Sequence, residues 1–147
     1  MRNALKILIA VFLAASPAWA VLGEYQNSVA ADRKVMRGVV QSVPHTGYTL
    51  HEIKGADGSV VKEFVSPEGV VFGLSWQAPT MPNLTQLLGS FFPDFQLASN
   101  RKRKHRGPLV VRTNRVVIES GGHLRAFYGR AYVPTLLPKG LSAEVVR

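Results

Sequence analysis

The sequence predicts an α+β fold, in which a mainly antiparallel β-sheet built from successive hairpins packs against one amphipathic helix. Two observations predict it. Short apolar runs separated by turn residues recur along the chain, which is typical of antiparallel strands joined by tight turns. Between them lies one stretch where the apolar spacing changes from every second residue to the spacing of an α-helix. A sheet and a helix that each have one apolar face bury those faces against each other.

Turn residues define the first hairpins. Strands are predicted over residues 48–54 and 59–65, joined by a turn at Gly55–Gly58. A second turn is predicted at Ser66–Gly69, because proline suits the second position of a β-turn and glycine the fourth. The next strand, residues 70–77, alternates apolar and small or polar side chains, which predicts one buried face.

The helix follows from a stripe of large apolar residues at helical spacing: Leu84, Leu87, Leu88, Phe91, Phe92 and Phe95. Asn83 is the expected N-cap. Since Pro93 cannot continue the helical hydrogen-bond ladder, we expect the helix to end near Phe92, with Phe95 packing from a following turn. The stripe is interpreted as core and not as a cofactor site.

The C-terminal part predicts further hairpins. Its expected order is strand 109–112, a turn at Thr113–Asn114, strand 115–120, a two-residue turn at Gly121–Gly122, and strand 123–133. Residues 21–47 are poorly patterned; they suggest a short helix over 30–37 and a strand over 39–43. The single α+β domain is therefore assigned to residues 48–147.

Residues 1–20 have the three parts of a secretory signal peptide. Arg2 and Lys6 form a basic start, residues 7–15 are uninterruptedly apolar, and Ala18–Ala20 is a small-x-small cleavage site. A membrane anchor is the alternative, but the apolar run is shorter than the roughly 20 residues that span a bilayer. We therefore expect cleavage after Ala20 and a periplasmic or secreted product.

Composition excludes several classes of site. The 147 residues contain no cysteine, which excludes a disulfide scaffold, a thiolate zinc site and a cysteine nucleophile. The four histidines have no metal-ligand spacing, so no metal and no cofactor is expected. With 18 Lys and Arg against 9 Asp and Glu, the formal net charge is +9, which favours anionic partners.

The charge is concentrated in a predicted loop over residues 99–107. Its cations, which we call the basic segment, are Arg101, Lys102, Arg103, Lys104 and Arg106. Such a run attracts phosphate-bearing lipid head groups or anionic envelope polymers, although it can also serve only as a solubilising loop. No aromatic side chain accompanies it, which argues against a nucleic-acid partner.

Two further sites are candidates. If Gly121–Gly122 is the hairpin turn, Ser120 lies opposite His123, and Glu52 or Glu119 can complete a nucleophilic triad. An oxyanion hole is not evident in the sequence. Separately, Tyr128 and Tyr132 share one strand face, and an exposed aromatic and arginine strip there would suit a protein or glycan partner; core packing is the alternative.

Several motifs resemble one family of exported bacterial proteins. They are the stretches 48–53, 65–72, 81–89, 91–93, 107–109, 119–123, 126–132 and 136–138, together with Leu22–Gly23. The family is catalogued as domain of unknown function 2844. The resemblance is weak over residues 27–46 and absent over 99–106. It implies export in Gram-negative bacteria, and it supplies no activity and no catalytic residues.

The sequence thus favours an exported binding or structural module of the bacterial envelope without enzymatic activity. The alternative is a small periplasmic hydrolase that uses Ser120 and His123 with a nearby carboxylate.

Overall fold

A computed structural model describes residues 21–25, 39–102 and 107–147, and it has the predicted α+β fold. Seven antiparallel strands form one sheet in this part of the chain: β1 (Val39–His45), β2 (Tyr48–Lys54), β3 (Val60–Val65), β4 (Val71–Ala78), β5 (Leu109–Arg112), β6 (Val117–His123) and β7 (Ala126–Tyr132). Helices α1 (Leu84–Leu88) and α2 (Phe92–Lys102) are linked by a 3-10 turn at Gly89–Phe91.

The strand order is β1-β2-β3-β4-β7-β6-β5, so two runs of hairpins meet at the β4–β7 pair. The predicted turns of the first run are confirmed. The N–H of Gly58 donates to Gly55 at 3.1 Å, and the N–H of Gly69 donates to Ser66 at 2.9 Å. Both glycines have φ near +85°, where a side chain would be strained. The predicted strand over 39–43 extends to His45, and the predicted helix over 30–37 lies outside the described residues.

The helical region continues beyond the predicted end. The Asn83 side chain caps α1 as expected, accepting from the N–H of Gln86 at 3.2 Å. The expectation that helix stops near Phe92 is wrong, because the chain starts a second helix there and places Pro93 in its first turn, where a missing N–H costs nothing. Residues 99–102 of the predicted basic loop are consequently helical.

The helices cover one face of the sheet, which we call the helix face. Leu84, Leu87 and Leu88 are buried there, which confirms the core interpretation of the stripe, and Phe91, Phe92 and Phe95 pack at its margin. The sheet contributes Ile53, Val61, Leu74, Trp76, Ile118 and Ala131. Burying several such side chains, at about 1.5–3 kcal/mol each, is what fixes the helices to the sheet.

The opposite face, the tail face, is covered only in part. Phe64 and Phe72 are buried there beneath the C-terminal tail, whose Val146 is fully buried. The single buried face predicted for residues 70–77 is therefore wrong: β4 lies in the middle of the sheet, and apart from Gln77 both of its sides are buried. Beyond the tail, the tail face is open.

The first described segment, residues 21–25, is built into the fold. Val21 and Leu22 are buried. The N–H of Leu22 donates to the carbonyl of Leu87 at 3.2 Å, and the N–H of Gly23 donates to that of Val71 at 2.8 Å. In the described part of the chain, no helix has the length and apolar character needed to cross a membrane.

Candidate ligand-binding cleft

The hairpin turn predicted at Gly121–Gly122 lies elsewhere. β6 continues to His123, and the turn is Leu124–Arg125, with Arg125 at φ +68°. The two glycines are needed because neighbouring groups pack closely against their Cα atoms, and not because they form the turn. A Cβ on Gly121 would lie 2.8 Å from the Tyr128 hydroxyl, and one on Gly122 would lie 2.2 Å from the carbonyl oxygen of Ala126.

This shift separates the predicted triad residues. Ser120 pairs with Gly129 and is buried, whereas His123 pairs with Ala126 and is exposed. Three positions apart on one strand, the two side chains point to opposite faces. Glu52 lies on β2, four strands from Ser120, which corresponds to about 19 Å at the usual strand spacing, and it pairs with Lys54 at 2.9 Å. The structure does not bring these residues together.

The open part of the tail face instead forms a cleft across β3, β4, β7 and β6. Its volume is about 490 Å³, within the range of small-molecule sites. Directly paired positions place Lys62, Ser75 and Arg130 side by side on three adjacent strands, with Glu119 beside Arg130. Ser75 is buried and forms the floor, so the two cations flank a hydroxyl.

A charged network holds Arg130 in place. Its Nε lies 2.8 Å from Glu119 Oε2, and Arg112 lies 3.5 Å from Glu119 Oε1. The hydrogen bond from Arg130 is the main reason that the pKa of Glu119 is lowered, and the same bond raises the pKa of Arg130. Arg130 also donates to the carbonyl of Val146 at 3.4 Å. The guanidinium is therefore oriented before any ligand arrives.

The C-terminal tail forms one wall of the cleft. Arg147 donates from Nε to the carbonyl of Glu144 at 2.8 Å, and Lys62 Nζ lies 3.5 Å from the carbonyl oxygen of Arg147. The Arg147 and Glu144 side chains line the cleft and are largely exposed. Among the charged side chains that line the cleft, Arg130 is paired with Glu119 and Arg147 with Glu144, so Lys62 is the lining cation in excess and can attract an anion.

An aromatic ring stands at the opposite side. Tyr128 is 49% exposed and rests over Gly121, which is its direct cross-strand neighbour. On the same side lies the exposed Gln77, paired with Tyr128 across β4 and β7. A tyrosine ring beside an exposed amide and an oriented guanidinium is suited to a sugar ring or a planar amide. Of the two tyrosines in the predicted strip, Tyr128 is exposed on the same face as Arg130, whereas Tyr132 packs under the tail, which is the alternative of core packing.

The basic segment is described only where it joins α2. Arg101 is exposed in the last turn of that helix, and Lys102 is its last residue. Arg101 also lines a shallow groove with Asp94 and Arg112. Arg103, Lys104 and Arg106 lie outside the described residues, so anion binding by the segment stays a prediction.

One polar constellation was missed in the sequence. Ser42, His51 and Glu63 lie in one row on the helix face of β1, β2 and β3. Ser42 belongs to the segment read as poorly patterned, and its strand is too exposed to alternate. Glu63 is only 1% exposed, which is uncommon for a glutamate. Only the hairpin register could have revealed the row. No group of described residues has the arrangement of a metal site.

Comparison with known proteins decides the family. The family model described as Protein of unknown function (DUF2844) matches residues 18–146, nearly the whole chain. The chain belongs to the DUF2844 family. The match includes the buried Val21 and the C-terminal tail up to Val146, so both of these segments lie within the region that the family model describes. No curated protein and no solved structure matches the chain.

Proposed function

We propose that this DUF2844 protein is an exported binding module of the bacterial envelope, and that the cleft on the tail face binds an acidic glycan. One observation carries the proposal: Lys62 and Arg130 flank the buried hydroxyl of Ser75 within the same cleft that exposes the ring of Tyr128. Cations supply attraction for a carboxylate, and the ring supplies a stacking surface for a pyranose.

Rigidity supports a binding role. The groups that line the cleft come mainly from paired strands, and Arg130 is already held by Glu119. A preorganised site loses less conformational entropy when a ligand binds. The cleft is open along one side, so it can accept one segment of a longer polymer.

Export is supported by how the fold begins. Residues 1–20 have the pattern of a signal peptide, and Val21, the first residue after the expected cleavage site, is buried against the sheet and Gly89. Removal of the signal would leave a chain whose first residues already belong to the core. Mass measurement of the protein recovered from a periplasmic extract tests this: we expect a mature chain that begins at Val21, and a chain that begins at Met1 would contradict export.

The ligand proposal is tested with two disaccharides that differ mainly in one carboxylate. One is N-acetylglucosaminyl-N-acetylmuramic acid, and the other is the neutral di-N-acetylchitobiose. We expect the acidic disaccharide to shift backbone amide resonances of β3, β4 and β7 and to bind at least ten times more tightly than the neutral one. Equal binding, or shifts confined to other strands, would refute the proposed specificity.

Variants locate the binding. Lys62→Gln and Tyr128→Ala should each weaken binding at least about fivefold, on the scale of one charged or stacking contact. Lys139→Gln is the matched control, since Lys139 is an exposed lysine that does not line the cleft. Tyr25→Ala, at a second exposed tyrosine, controls for loss of aromatic surface.

A further inference from the structure

A second site lies on the helix face, at the other side of the sheet from the cleft. Ser42 is paired directly with His51, and His51 is paired directly with Glu63, so the three side chains form one row across β1, β2 and β3. Directly paired residues of an antiparallel sheet point to the same face. The row runs from the outer strand toward the core, because Ser42 is exposed, His51 is half-buried and Glu63 is buried.

The serine and the histidine are in hydrogen-bond contact. Ser42 Oγ lies 2.6 Å from His51 Nδ1. Burial lowers the pKa of His51, so the imidazole is neutral at pH 7 and one ring nitrogen has a free electron pair. A neutral imidazole at this distance from a serine hydroxyl is the arrangement that removes the proton of a nucleophile.

The buried carboxylate completes the row. When His51 takes a proton, both of its ring nitrogens become donors. Its Nε2 is buried and makes no hydrogen bond within the described residues, while Glu63 occupies the facing position on β3. No hydrogen bond joins the two side chains in the structure, so Glu63 acts through its charge: a carboxylate on that side favours the tautomer with a proton on Nε2 and stabilises the imidazolium.

The backbone at Ser42 supplies a donor for a developing oxyanion. A two-residue turn at Thr46–Gly47 makes His45 and Tyr48 a hydrogen-bonded pair, and by alternation Ser42 and His51 form a non-hydrogen-bonded pair. The N–H of Ser42 therefore points away from β2, toward the outer edge of the sheet. A carbonyl that approaches Ser42 Oγ from that edge meets this N–H as well.

We propose that Ser42 is a nucleophile for small activated esters, with His51 as its base and Glu63 as a positioning residue. Ser42 Oγ attacks the ester carbonyl carbon while its proton passes to His51, and the alkoxide leaves with that proton as an alcohol. Water, deprotonated by His51, then attacks the acyl carbon. The acid is released, and the proton returns to Ser42 Oγ.

A fluorophosphonate probe tests the nucleophile directly. Ser42 Oγ would bond to phosphorus with loss of fluoride, and peptide mapping by mass spectrometry identifies the modified residue. We expect labelling of Ser42 at least ten times faster than that of Ser90, an exposed serine on the 3-10 turn. Ser42→Ala should abolish the label, and Ser90→Ala should leave its rate unchanged. No label on Ser42, or equal rates at the two serines, overturns the proposal.

His51→Asn separates base catalysis from structure. The Asn amide can keep a hydrogen bond with Ser42 but cannot take its proton, so labelling should slow at least tenfold while the melting temperature, measured in parallel, reports folding. If that variant fails to fold, the native protein and Ser42→Ala are compared for their rates of p-nitrophenyl acetate hydrolysis. We expect the native protein to be faster, and equal rates would overturn the proposal.

Glu63→Gln tests the positioning role through a spectroscopic readout. In protein labelled with ¹⁵N-histidine, the carboxylate should hold one tautomer of His51, and its loss should shift the ring nitrogen resonances and slow labelling of Ser42. Unchanged His51 resonances and an unchanged labelling rate would remove Glu63 from the site.

Discussion

Gly129→Ala should destabilise the protein severely, because Trp76 occupies the space that a side chain would need. An added Cβ would lie 2.1 Å from Trp76 Cζ2 and 2.6 Å from the carbonyl oxygen of Glu119. Carbon atoms in contact are normally about 3.5–4.0 Å apart, so the indole would have to move by roughly 1.5 Å. Trp76 is only 1% exposed and has no room for that movement.

The expected cost is about 3 kcal/mol of unfolding free energy, at the upper end for an overpacked core. For a domain of about 125 residues, this corresponds to a fall of about 10 °C in melting temperature. Gly140→Ala is the control, since Gly140 has φ +84° and open space around its Cα. That variant should lose only the roughly 1–2 kcal/mol of left-handed backbone strain.

Urea denaturation followed by tryptophan fluorescence measures both variants. The sequence has two tryptophans, and because Trp19 lies within the expected signal peptide, Trp76 alone reports in the mature chain. Trp76→Phe removes the fused ring and also the fluorophore, so the additivity test compares the native protein, both single variants and the double variant Trp76→Phe/Gly129→Ala by circular dichroism in urea. The double variant should recover about 1–2 kcal/mol relative to additivity. A cost for Gly129→Ala below that of Gly140→Ala, or strict additivity in the double variant, would refute the packing argument.

Three more predictions concern the core, the charged network and the basic segment. Leu88→Ala should cost about 2–5 kcal/mol, and Leu97→Ala under about 0.5 kcal/mol in the same urea assay, because Leu88 is fully buried and Leu97 is 61% exposed. Because the folded pKa of Glu119 is lowered, its stabilisation is present above the ordinary glutamate pKa and is lost as pH falls through the lowered value. Glu119→Gln should therefore flatten the acid side of a plot of unfolding free energy against pH, by less than about 1 kcal/mol. An unchanged slope on the acid side would contradict this. Replacing the five cations of the basic segment with glutamine should abolish binding to vesicles of anionic phospholipid at low salt, measured by co-sedimentation. If the variant binds as much as the native protein, the segment serves only as a solubilising loop.

Local chemistry made much of the fold predictable. The turns at Gly55–Gly58 and Ser66–Gly69 require particular residues at particular positions, and the helical stripe at Leu84–Leu88 has a period that no strand shares. These features depend on neighbours in the sequence. The pattern alone was therefore enough to predict them.

Features that depend on distant contacts were not predictable. Gly121–Gly122 has the composition of a hairpin turn, but its glycines are required by Tyr128 and Ala126 on the next strand. Pro93 ends a helix in isolation, yet here it begins one, because the chain needs a new direction to pack Phe95 against the sheet. The cleft and the Ser42–His51 row likewise depend on strand register, which the alternation of an exposed strand does not fix.

The order of the strands has a consequence for a chain that crosses a membrane unfolded. β1 to β4 pair with sequence neighbours, but β4 finds its second partner only in β7, more than forty residues later, and Gly73 is covered by Val146, more than seventy residues later. Until β7 and Val146 have emerged, the middle of the sheet has an unpaired strand and an uncovered side. If the chain is exported from its amino terminus, as we propose, the domain would stay open until residue 146 has crossed the membrane.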